Sequence, residues 1–172
     1  GAGAPPSLLP VRAQVLTPLG WLQGTFNVPR NQSLMDFLSP GVQVLKFTRV
    51  RLPRGTETIP FVGLRRESVH LIEPSIEEDL IETPGSMGRT TPRSVGCLLP
   101  AGEVRGTLEV LVNVRVSDYL RQQANLLVLR NCTFTPEGAA SGSSDVRRLR
   151  TVLVNLTAAV GVAEWDAPGP GA

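Results

Sequence analysis

Histidine and lysine are nearly absent from this chain, with His70 and Lys46 the only examples among its 172 residues. A single histidine leaves no imidazole cluster for a metal and no pair for a proton relay. Its setting, SVHLIE, places Val69 and Leu71 on one strand face and His70 on the other, which reads as a solvated strand residue and not a catalytic base. Cysteine is equally scarce: Cys97 and Cys132 lack CxxC spacing and are too few for a disulfide scaffold. No run approaches the roughly 20 apolar residues of a membrane helix, and the most apolar, VLVNLTAAVGVA, is interrupted by Asn155 and Thr157. The opening GAGAPPSLLPV has neither the charged region nor the apolar core of a secretory signal. Neither GxxxxGK[ST] nor GxGxxG occurs, so nucleotide binding has no support.

The remaining chemistry is bland. With 17 basic and 15 acidic residues the net charge is +2, too little to steer the whole chain toward a polyanion. The preference for arginine over lysine fits a GC-rich coding bias. Glu73, Glu77, Glu78, Asp79 and Glu82 form an acidic group without the glycine-punctuated order of a calcium loop, and they read as a solvated face. Cys97 and Cys132 align with valines in the repeat described next, as small buried hydrophobes would. Asn31, Asn131 and Asn155 each begin an Asn-x-Ser/Thr triplet, of meaning only in a glycosylating compartment. We expect no catalytic residues, no metal and no cofactor.

What the chain does hold is an internal repeat. Shifting it by 82 positions aligns 18–52 with 100–134 without a gap, with nine identities in 35 pairs, among them Gly20/Gly102, Gly24/Gly106, Thr25/Thr107 and Asp36/Asp118. PLGWLQGTFNV and PAGEVRGTLEV thus share one frame, in which Glu103 replaces Trp21. The second copy then carries an insertion, TPEGAASGSSD, of loop composition. The organisation expected is an extended arm at 1–10, a first repeat at 11–74, a Pro/Gly-rich linker at 75–92 with a short helical segment in IEEDLIE, a second repeat at 93–165 and an extended tail at 166–172.

Each copy reads as five short strands; in the first these are VRAQVLTP, GWLQGTFNV, GVQVLKFTRVRL, ETIPFVGL and SVHLIEP. Alternation in the second strand turns Leu22, Gly24, Phe26 and Val28 inward and Trp21, Gln23, Thr25 and Asn27 outward. A helical turn is expected at NQSLMDFL, with Ser33 and Asp36 forming a capping box, and at NVRVSDYL, where that spacing is not kept. Glycine-bent strands of this length point to a small closed barrel.

Five short strands, the Gly20-x-Leu22-x-Gly24 frame and a compact size resemble the Sm-like and SH3-like small β-barrels, here in tandem. The resemblance implies a mainly β fold of two five-stranded barrels. RNA-binding Sm-like proteins carry an Asp followed shortly by an Asn, whereas Asp36 and Asp118 are followed by Phe-Leu and Tyr-Leu, so that site does not carry over.

The expected function is therefore that of a non-catalytic accessory subunit docking on a larger protein complex. Aromatic side chains dominate such contacts, and the first copy has Trp21, Phe47 and Phe61 where the second has Glu103, Leu129 and Val152. Trp21, Gln23, Leu8, Leu9 and Trp165 are the candidate partner-binding residues. The tails, mostly Gly, Pro and Ala, would order only against a partner. A chain with apolar tails and no membrane span also suits an extrinsic subunit of a membrane complex, respiratory or photosynthetic, in the cytoplasm or peripheral to a membrane. The alternative is a tandem barrel that binds RNA or single-stranded nucleic acid through Arg147, Arg148 and Arg150, although aromatics for base stacking amount to only 5% of the residues.

Overall fold

Ten antiparallel strands and two short helices make up the computed structural model, which describes residues 7–81, 88–122, 125–140 and 142–165. The chain is mainly β and divides into two compact units, Gly1–Ser86 and Met87–Ala172. The first contains β1 (Leu8–Thr17), β2 (Gly20–Pro29), α1 (Leu34–Phe37), β3 (Val44–Arg51), β4 (Ile59–Arg65) and β5 (Leu71–Pro74). The second contains β6 (Thr90–Leu99), β7 (Gly102–Leu111), α2 (Val116–Gln122), β8 (Leu126–Pro136), β9 (Arg147–Asn155) and β10 (Gly161–Glu164). Much of the expected arm and tail lies outside the described residues, as does 82–87 of the expected linker.

Both units have the same order: β5-β1-β2-β3-β4 in the first, β10-β6-β7-β8-β9 in the second. The registers agree as well. Leu8 opposite Pro29 through Thr17 opposite Gly20 becomes, 82 residues on, Thr90 opposite Leu111 through Leu99 opposite Gly102. The expected closure into barrels is not what the pairing shows, because the strand order is open and neither β4 with β5 nor β9 with β10 is a hydrogen-bonded pair. The fifth strands are only four residues long, and every one of those residues pairs with the first strand of its unit. The insertion lengthens one hairpin by eight residues: Val44 faces Arg65, whereas Leu126 faces Asn155.

The glycine frame has two separate physical uses. Gly20 and Gly102 hold φ of 111° and 152° in the turns that open β2 and β7, where a side chain would be strained. Gly24 is needed for space: a Cβ there would stand 2.6 Å from the Phe47 ring. That ring fills the core of the first unit, its centroid 4.6 Å from that of Phe26, which in turn meets Phe37 edge-on at 6.2 Å. Phe47 is thus wholly buried and adds nothing to a docking surface, contrary to the sequence expectation. In the second unit Gly106 instead leaves room for the Cys132 thiol, 2.7 Å from where a Cβ would stand.

Beside each of these glycines the third strand carries one extra residue. Gln23 faces Arg51 but Thr25 faces Thr48, and the equivalent slip separates Arg105/Thr133 from Thr107/Arg130. The residues at the two bulges, Arg49 and Asn131, have φ of 52° and 53°. In the first unit Thr48 and Arg49 are thereby both kept out of the core, and Val50 is returned to it.

α1 forms where expected. The Ser33 hydroxyl accepts from the Asp36 amide at 3.1 Å, and the Asp36 carboxylate accepts from the Ser33 amide at 3.4 Å. Its far end is held by the buried Arg66 guanidinium, whose Nη1 donates to the carbonyls of Leu38 (2.7 Å) and Ser39 (3.0 Å). The segment after β5 also belongs to this unit: it contains a 3₁₀ turn at Glu78–Leu80, and the carbonyl of the buried Ile81 accepts from the Met35 amide at 3.0 Å.

The Gly24–Phe47 contact gives a direct test. Gly24→Ala should destabilise the protein by about 1–3 kcal/mol in urea titrations, because a methyl forced against an aromatic ring overpacks the core. Adding Phe47→Leu, the residue the second copy has at that position (Leu129), should recover part of that loss. Additive effects of the two changes would show that the contact does not limit packing.

Candidate functional site

The residues expected to bind a partner do not form one cluster. Trp21 and Gln23 lie on the outer face of β2, opposite Leu16 and Gln14 of β1; Trp21 is half-buried and Gln23 exposed. Leu8 and Leu9 sit at the other end of the same hairpin, opposite Pro29 and Val28. Leu8 is exposed, while Leu9 borders a shallow hollow of about 200 Å³ with Val11, Leu34, Ile76 and Leu80. Trp165 belongs to the second unit. It is 45% exposed, its ring covers Gly96, and the Arg105 guanidinium stacks on it at 3.7 Å from the ring centroid. Arg105 is also ion-paired to Glu103.

Phe61 and Val44 form a separate apolar patch on the outer face of the first unit. They are 54% and 56% exposed, and Gly63 lies between them: a Cβ at Gly63 would stand 2.9 Å from Val44 and 3.6 Å from Phe61. In the second unit the register places Leu126 and Thr151 at these positions; Thr151, not Val152 as the sequence alignment had it, is the equivalent of Phe61, and it is buried.

The basic residues of β9 are divided between its faces. Arg148 and Arg150 are exposed, and Leu149 between them is buried; Arg147 is half-buried opposite Phe134. A different pair of arginines faces open space in the first unit. Arg12 and Arg49 line a groove of about 540 Å³ on the outer face of β1, β2 and β3, together with Thr25, Asn27, Thr48 and Ser75. Neither arginine is among the candidate residues the sequence singles out. The strand register would have pointed to Arg12, since it lies opposite Thr25, and Thr25 opposite Thr48.

His70 corrects an expectation. It is 5% exposed, not solvated, and its amide donates to the Leu16 carbonyl at 2.9 Å. Its Nδ1 has no hydrogen-bond partner among the described residues. Burial pushes its pKa below the ordinary 6.5, so it is held neutral. Cys97 and Cys132 are both buried and outside any disulfide, and desolvation raises the Cys97 pKa to about 12. A nucleophilic cysteine needs the opposite shift. Of the Asn-x-Ser/Thr triplets, Asn155 is buried, with its side-chain oxygen accepting from Thr157; Asn31 and Asn131 are exposed.

Among the described residues no three His, Cys, Asp or Glu side chains are grouped as a metal would require, and no helix is long and apolar enough to cross a membrane. The chain matches no family model, no curated protein and no solved structure.

Two measurements follow from the buried titratable groups. His70 protonates more readily in the unfolded chain, so its contribution to stability is complete above about pH 6.5 and is lost as pH falls below that value. Between about pH 7 and pH 5 the urea midpoint of His70→Gln should therefore fall less than that of the parent. An unchanged slope would remove His70 as the source. A thiol-specific chromogenic reagent should leave Cys97 unmodified in the native protein and react with it once urea unfolds the chain.

Proposed function

We propose that the chain is a non-catalytic accessory subunit that docks on a larger protein assembly through the outer face of its first unit. We also infer that its two units are copies of one small five-stranded β fold of the SH3-like and Sm-like kind, here without closure into a barrel. The identical five-strand order, in which the fifth strand returns beside the first, supports that architecture.

The observation that carries the docking reading is the exposed Phe61–Val44 patch around Gly63 on β4, a strand with one hydrogen-bonded neighbour, β3. An aromatic ring held on a rigid strand buries a large area on contact at little entropic cost, as interface anchors do. An exposed edge strand also offers backbone groups to a partner chain. Trp21, half-buried on β2 of the same unit, extends the aromatic content of this outer face. The buried neutral histidine and buried thiols give catalysis no reactive group at these positions.

Phe61→Ser and Trp21→Glu should each weaken co-purification of the tagged protein with its assembly by about tenfold, without a loss of melting temperature large enough to explain it. Undiminished recovery of the same partners by both variants would end this reading. The nucleic-acid alternative has Arg148 and Arg150 exposed on β9 in its favour. It requires salt-dependent oligonucleotide affinity that falls when Arg147, Arg148 and Arg150 are neutralised.

A further inference from the structure

The groove of the first unit has the composition of an anion site, and the second unit supplies an internal comparison for it. Neither the Arg12 nor the Arg49 guanidinium has an ion-pair partner among the described residues. Their strands lie two spacings apart, about 10 Å, close enough for two such side chains to converge on one group. The floor between them is polar. The Thr48 hydroxyl donates to the Thr25 carbonyl at 3.2 Å and the Ser75 hydroxyl to the Arg12 carbonyl at 3.0 Å, which leaves the oxygen of each hydroxyl as an acceptor. Thr25 and Asn27 add a further hydroxyl and amide.

Arg49 holds its place at a conformational cost. At φ 52° a long side chain is disfavoured, whereas asparagine, the residue at the equivalent bulge in the second unit, tolerates this region well. The bulge carries Arg49 to the outer face, where it borders the groove.

Most of the lining positions change between the copies, Thr25 and Pro10 being kept as Thr107 and Pro92. By register Arg12 becomes Ser94, Asn27 becomes Glu109, Thr48 becomes Arg130 and Arg49 becomes Asn131. Ser75, which follows β5, becomes Trp165, which follows β10 and stacks beneath Arg105. One unit therefore keeps two uncompensated arginines around an open polar groove. The other has neither arginine at these two positions; it has Arg130 in place of Thr48, Glu109 in place of Asn27, and an indole ring, stacked with Arg105, on the same outer face.

We propose that the outer groove of the first unit binds a small phosphate monoester, its phosphate held by Arg12 and Arg49 and its hydroxyls by Thr25, Asn27, Thr48 and Ser75. Guanidinium forks match phosphate oxygens bidentately. The neutral hydroxyl and amide groups suit a polyol such as a sugar, and among the described residues no aromatic side chain lines the groove to stack a base. This inference does not rest on the docking surface at Val44 and Phe61.

The test uses the full chain and amide chemical shifts, with inorganic phosphate, ribose 5-phosphate, ribose, sodium chloride and a single-stranded oligonucleotide as separate probes. The expected result is saturable shifts at Thr25, Asn27 and Thr48 with phosphate and ribose 5-phosphate, the ester binding more tightly, and none with ribose or chloride. Arg12→Gln and Arg49→Asn should each weaken ribose 5-phosphate binding by about tenfold or more. Arg49→Asn should also melt no lower than the parent, which separates lost binding from lost folding. Absence of shifts with either phosphate probe, saturable shifts with the oligonucleotide alone, or affinities unchanged in both variants would overturn the proposal.

Discussion

The approach of β3 to β2 at Gly24 is the constraint on which the first unit's architecture depends. Phe47 is fully buried, and its ring occupies the space a side chain at Gly24 would take. Phe26 packs against that ring, and Phe37 in turn meets Phe26. The extra residue of β3 falls beside this contact, opposite the stretch from Gln23 to Thr25. A bulge increases local twist and bends the strand, and this one also restores the inward phase at Val50 after two outward residues. The second unit uses the same backbone device with different filling: Gly106 opens onto Cys132, and Leu129 takes the place of Phe47. The conserved element is thus the geometry of the crossing, and the side chains that fill it differ between the copies.

Much of this was legible in the sequence. The strands of the first copy can be read from runs of β-branched and apolar residues between glycines and prolines, and the repeated Gly-x-apolar-x-Gly frame anticipates the shared register. The Ser33–Asp36 cap was also readable, because a helix start leaves local amides to be satisfied and these two side chains have the spacing to do it. Closure was not readable. It depends on how the fourth and fifth strands meet, which no local pattern encodes. His70 was misassigned because strand alternation was read across a residue that precedes β5, after the 3₁₀ turn at Arg66–Ser68; Val69, His70, Leu71 and Ile72 are all buried in succession. The bulges were hidden for another reason, since glycine usually signals positive φ and these positions hold arginine and asparagine.

The candidate groove was less legible than the fold because its members come from different strands and have ordinary identities. Arg12, Thr25 and Thr48 are far apart in sequence and become a row only once the registers of β1, β2 and β3 are known. Trp21 drew attention as a residue type, yet the structure half-buries it and leaves Phe61 and Val44 more exposed. A search keyed to aromatic type finds anchors but not their accessibility. A search keyed to the difference between copies finds positions of both kinds, including Arg12 against Ser94 and Ser75 against Trp165.

For a physical reason, changes of chemical class fall mostly on the outer faces, whereas most inward changes, such as Phe47 to Leu129, keep an apolar side chain. Inward positions are coupled: enlarging the residue at Gly24 displaces Phe47, and the Phe47 ring in turn meets Phe26, so neither copy can change one of these without compensating at another. Outward positions on a solvated sheet face carry little of this coupling, and most substitutions there alter stability by only a few tenths of a kcal/mol. Two units built on one frame can therefore share a core geometry while their surfaces diverge. Arg49 is the exception that ties the two faces together. Its backbone belongs to the bulge that sets the core, its side chain borders the outer groove, and its left-handed conformation is one that asparagine accepts at less cost in the other copy. An arginine kept at a position where a less strained residue satisfies the same fold is better explained by what its guanidinium contacts than by the packing beneath it.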